Sequence, residues 1–136
     1  MAHAKINSMS PDKPSHFLTC TIDMSFLPRD VEQVLKMLVS VIGPTEACTE
    51  CRKCSVACDA TQEGLIHYHE VWVSEAAFKL HVRSKEFWRV LTAMDLCVEE
   101  PKVVVGNLSG HVGMAHLRAL RSQLDESDIK AEGDER

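Results

Sequence analysis

Apolar and polar residues alternate along the first readable stretch of the chain, over 17–26. Leu18, Cys20, Ile22 and Met24 share one side of an extended backbone and Thr19, Thr21 and Asp23 the other, the period of a half-buried strand. Pro28 closes that run. Asp30 then puts a negative charge where a helix dipole favours one. Val31, Val34, Leu35, Leu38, Val41 and Ile42 follow at helical spacing, and Gly43-Pro44 is expected to stop the helix. After a cysteine-rich loop the pattern predicts a second strand over 53–59, a turn at 61–64 and a long third strand over 65–73. Ser74 and Ser84 stand as N-caps before two helical segments, 75–82 and 85–97, the second with Phe87, Val90, Leu91 and Met94 on its inner side. Pro101 interrupts, 102–108 reads as a fourth strand, and 113–124 as a short terminal helix.

The order β-α-β-β-α-β predicts an α+β, ferredoxin-like domain: a four-stranded antiparallel sheet with both main helices on one face. The opposite face is then left bare. A second copy packed back to back would cover it, so a homodimer is expected.

Composition narrows the picture. The 136 residues suit one domain, and with aromatics at 5% the core must be mostly aliphatic. Charge is uneven: of the net −5, residues 125–136 hold six acids against two bases, leaving about −1 for the rest. That end reads as a solvated, disordered acidic tail, and the proline-bearing segment 1–15 as a second disordered end. With no basic stripe, nucleic acid is not expected as a partner. No apolar run approaches the roughly 18 residues a membrane span needs, and 1–15 lacks a hydrophobic signal region, so a cytoplasmic protein with no membrane partner is expected. Its six cysteines are then thiols, metal ligands or redox groups rather than structural disulfides.

Cys48, Cys51, Cys54 and Cys58 spell C-x2-C-x2-C-x3-C, the ligand spacing of bacterial-type ferredoxins, which opens an alternative as an iron–sulfur, zinc or thiol-redox module. Against it, Asp59 stands where proline usually follows, and no second motif exists. Cys54 and Cys58 also fall inside the second strand, about 13 Å apart at roughly 3.3 Å per residue. Cys48–Cys51 and Cys51–Cys54 remain as redox pairs. His67 and His69 share one face of the third strand and lack an evident third ligand.

The strand-to-helix corner carries a resemblance. Glu70 and Trp72 closing a strand, His81 in a small helix, then Ser84 and Phe87 opening the next helix, resemble the antibiotic biosynthesis monooxygenase family over about residues 17–112. Gly43-Pro44-Thr45 and the loop 51–54 sit where that family has its Gly-Cys loop, with Thr49-Glu50 in place of the usual Pro-Gly. The resemblance implies a dimeric α+β barrel that binds a small aromatic substrate and O2 in a pocket between helices and sheet. Several members oxidise phenols or quinols without metal or organic cofactor. On that basis His81 is expected as the base and Trp72 as a catalytic wall, with Glu70, His69, Phe87 and Leu91 lining the pocket. Plainer roles fit the same residues: Trp72 as core, His81 as a helix partner, Glu70 as a structural acceptor. Haem degradation is not expected, because the positions of that branch's helix Trp and iron-binding His fall on His81 and Leu91. A non-catalytic dimeric ligand binder is the further alternative.

Overall fold

A computed structural model describes residues 16–110 and 113–123, so the expectations for 1–15 and 125–136 lie outside the described residues. The elements run β1 (His16–Ser25), α1 (Pro28–Glu46), β2 (Cys51–Cys58), β3 (Leu65–Trp72), α2 (Glu75–Val82), α3 (Lys85–Asp95), β4 (Lys102–Ser109) and α4 (Met114–Gln123). The strands form one antiparallel sheet in the order β2-β3-β1-β4. This is the ferredoxin-like α+β fold that the alternation predicts.

One boundary differs from expectation. Helix α1 does not stop at Gly43-Pro44 but continues through Pro44 to Glu46. A proline costs a helix one N–H donor and crowds the preceding turn. Here the cost falls in the last turn, at an exposed position, while Ala47 N–H still reaches the Gly43 carbonyl at 3.0 Å. The extra turn brings Thr45 into line with Val34, Leu38 and Val41 on the buried stripe. Packing of that stripe outweighs the local breaker. At the other end Pro28 occupies the first turn, where its missing N–H is no loss. Strand β2 also starts earlier than predicted, at Cys51, with an irregularity in its pairing to β3 between Cys51 and Lys53.

The β2–β3 turn depends on Gly64. Its φ is +82°, and a Cβ there would lie 2.4 Å from the Phe26 carbonyl oxygen. The same close approach lets Phe26 N–H donate to the Gly64 carbonyl at 2.9 Å, tying the turn to the end of β1.

Helices α1, α2 and α3 cover the face carrying Leu18, Cys20, Ile22, Met24, Ile66, Tyr68, Glu70 and Trp72. They do not cover β4, where Val103, Val104, Val105 and Leu108 are 48–63% exposed. Helix α4 likewise exposes Met114, Leu117 and Leu120, one stripe at three-residue intervals. Among the described residues no helix is long and apolar enough to cross a membrane.

Candidate functional site

Alternation along β3 points Tyr68, Glu70 and Trp72 to the helix side. Glu70 is paired across the sheet with Cys54 on β2 and Cys20 on β1, so a carboxylate stands between two thiols in the core. Its exposure is 0%. Burial strips water from a carboxylate, and the loss must be made good by donors. Three side chains supply them. Trp72 Nε1–H donates to Oε1 at 2.8 Å, while the Tyr68 hydroxyl and His81 Nε2 (the latter at 2.8 Å) meet Oε2. Cys54 Sγ lies 3.3 Å from the Tyr68 oxygen, extending the chain of polar groups to β2.

His81 is brought to Glu70 by α2. Ser74 caps that helix, its hydroxyl accepting from Ala77 N–H at 3.1 Å, and this fixes the turn on which His81 faces inward. Ser84 caps α3 in the same way, accepting from Phe87 N–H at 3.3 Å. The imidazole is then held between two rings, Trp72 with centroids 4.8 Å apart and Phe87 edge-on at 5.4 Å. With Nε2 engaged by Glu70, the ring's Nδ1 has no hydrogen bond among the described residues.

The same imidazole lines a cavity of about 490 Å³, with Trp72, Ala77, Leu80, Pro44 and Cys48 among its other walls. That is room for a small aromatic molecule, and the walls are largely apolar. Burial pushes the Cys54 thiol up to about 11 and the Cys20 thiol to about 12, with the nearby Glu70 charge adding to both. Burial also raises Tyr68 well above the ordinary phenol range, again helped by Glu70. These groups therefore keep their protons at neutral pH. Of the three, the Tyr68 hydroxyl is the one that donates to Glu70.

No family model and no curated sequence matches the chain. Solved structures do. An antibiotic biosynthesis monooxygenase superposes with a TM-score of 0.61 at 18% identity, over 71% of this chain and 99% of its own. A protein from Deinococcus radiodurans, whose name assigns it provisionally to the same class, gives 0.64 at 16% identity, over 71% and 97%. A similarly named one from Caulobacter crescentus CB15 gives 0.61 at 18%, over 72% and 92%. The chain has the fold of the antibiotic biosynthesis monooxygenases.

Within that monooxygenase fold, four of the residues singled out from the sequence come together: Glu70, Trp72, His81 and Phe87. Two do not. His69 alternates with Glu70 and so stands on the opposite face of the sheet, across from Ser55 and Thr21. Leu91 on α3 is 37% exposed and does not line the cavity, and Glu70 and Phe87, expected as lining residues, reach it only through their contacts with His81. Tyr68 is the site residue the sequence reading passed over. Its signal was available, since Tyr68, Glu70 and Trp72 are spaced by two on one strand. The cysteine run is spread out: Cys48 is exposed in a turn, Cys51 and Cys54 are buried, and Cys58 is exposed at the end of β2. Among the described residues, no three His, Cys, Asp or Glu side chains are grouped so as to hold a metal ion.

Proposed function

We propose that this protein is a cofactor-independent monooxygenase that oxidises a phenol or quinol with molecular oxygen. The observation that carries the reading is the fully buried Glu70 bonded to Nε2 of an imidazole that itself lines an apolar cavity. A carboxylate accepting from Nε2–H selects the tautomer in which Nδ1 holds the lone pair. His81 is then the base that takes the phenolic proton, and Glu70 steadies the imidazolium that results. The phenolate so formed passes an electron to oxygen, and the two radicals recombine. One oxygen atom stays in the product and the other leaves as water, with the substrate supplying all the electrons. Trp72, Ala77 and Leu80 give the reacting pair an apolar wall. Tyr68 and Trp72 N–H act through Glu70 as positioning residues.

Oxygen uptake with a panel of substituted hydroquinones tests the reading. Turnover in the purified, metal-analysed chain, lost in His81→Ala while its circular dichroism stays unchanged, is the expected result. Tight binding of the same compounds without oxygen uptake would instead make the protein a ligand binder.

A second copy of the chain belongs to the same reading. The exposed apolar residues of β4 and the Met114, Leu117 and Leu120 stripe of α4 support it, since surfaces of this kind mark association sites. Light scattering after size exclusion is expected to return twice the monomer mass. A single-chain mass would remove the dimer from the account.

A further inference from the structure

We infer that Cys48, which lines the cavity, and the buried Cys51 form a reversible dithiol–disulfide pair, oxidised by low-molecular-weight disulfides. The proposal is independent of the monooxygenase reading and concerns the cysteine motif which that reading leaves unused.

Geometry carries it. Helix α1 ends at Glu46, and the chain then folds back through a turn in which Cys51 N–H donates to the Cys48 carbonyl at 3.1 Å. A hydrogen-bonded turn of this kind brings its first and fourth Cα atoms within about 7 Å, the outer limit for a disulfide. The two thiols are unequal. Cys48 is exposed and lines the cavity, whereas Cys51 is 0% exposed and sits opposite Trp72, another cavity residue, on the same side of the sheet. An accessible attacking thiol followed by a sheltered one is the arrangement that thiol–disulfide exchange uses.

The competing pairs lack it. Cys51 and Cys54 face the same side of the sheet, opposite Trp72 and Glu70, but both are buried, so neither offers an accessible attacking thiol. Cys58 lies at the opposite end of β2, and closing the Cys48–Cys51 pair gives up the weak donations of Cys48 Sγ to the Pro44 carbonyl at 3.8 Å and of Cys51 Sγ to the Lys53 carbonyl at 3.5 Å.

The exchange balances without a further reactant. The Cys48 thiolate attacks one sulfur of an external disulfide, that S–S bond breaks, and one thiol leaves with a proton. Cys51 Sγ then attacks Cys48 Sγ, the intramolecular bond forms, and the second thiol leaves. Two protein thiols are oxidised and one external disulfide is reduced to two thiols. The turn also contains Glu50, whose carboxylate accepts from the Ser74 hydroxyl at 2.6 Å and whose carbonyl accepts from Val73 N–H at 2.9 Å. Ser74 caps the helix bearing His81. Closing the pair therefore acts on a turn joined directly to the candidate site.

The test uses the reduced full chain and oxidised glutathione, with acid quenching, alkylation and peptide mass mapping over time. Wild type is expected to accumulate a Cys48–Cys51 link. Cys51→Ser and Cys51→Ala are each expected to lose the link and to retain glutathione on Cys48. Cys48→Ser should lose reaction at Cys51 while Cys58 still takes glutathione. A mixed disulfide that persists on Cys48 in wild type would overturn the proposal. So would a Cys51–Cys54 link, or reaction at Cys58 with none at Cys48.

Discussion

Strand β3 presents a histidine–carboxylate arrangement on each of its faces. On the helix side, Glu70 and His81 meet at 2.8 Å with side chains 0% and 3% exposed. On the other side, His67 bridges Asp23 at 2.7 Å through Nδ1 and Asp59 at 2.9 Å through Nε2, with its own side chain 38% exposed. Distances and chemistry are nearly the same, and burial is what differs. The outer cluster uses both ring nitrogens on carboxylates in solvent, where attraction is weak and screened by salt. The inner one uses a single nitrogen on a carboxylate that is fully buried. Only the inner arrangement leaves an imidazole beside a cavity with a nitrogen to spare.

Breaking the inner arrangement should therefore cost most. Glu70→Ala strands the donors of Tyr68, Trp72 and His81 in the core, and a loss of about 3–5 kcal/mol is expected from the rule for half-removed buried pairs. Urea denaturation monitored by Trp fluorescence would show it, and a loss under about 1 kcal/mol, the scale of exposed pairs, would contradict it. Tyr68→Phe keeps the ring and removes one charge-assisted hydrogen bond, so a loss of roughly 1.5–3 kcal/mol is expected by the same measurement. If Tyr68→Phe were neutral, the hydroxyl would not be holding Glu70.

The outer cluster should respond to pH more than to mutation alone. Its two carboxylates raise the His67 pKa, Asp23 most, so the stability this group adds is fully present below about pH 6.5 and fades as pH rises through the raised folded value. Asp59 is shifted down, chiefly by His67, so its share is present above about pH 3.9 and is lost as pH falls through the lowered folded value. The difference in thermal midpoint between wild type and His67→Gln is therefore expected to be largest between these limits, to narrow toward alkaline pH, and to shrink with added salt. A difference that grew with pH would reverse the assignment.

Much of the fold was legible because strands advertise themselves by alternation and helices by caps. Ser74 and Ser84 are caps in fact as in pattern. The end of α1 was not legible, because Gly43-Pro44 is a local signal and the burial of Thr45 is a tertiary one. The site was half legible. Trp72 and Glu70 are neighbours by alternation, but the contact from Glu70 to His81 depends on how α2 leaves the strand, which no spacing encodes. Tyr68 and His69 illustrate the converse. The period of two already assigned them to opposite faces, which sets His69 apart from Glu70 and Trp72.

The central step is the transfer of the phenolic proton to His81. Initial rates of oxygen uptake with a hydroquinone, compared between wild type and His81→Ala with and without added imidazole, measure that directly. A fall of roughly 10²–10⁴-fold, the usual worth of a positioned acid–base group, is expected, with imidazole restoring part of the rate. A variant that is folded and as fast as wild type would contradict it.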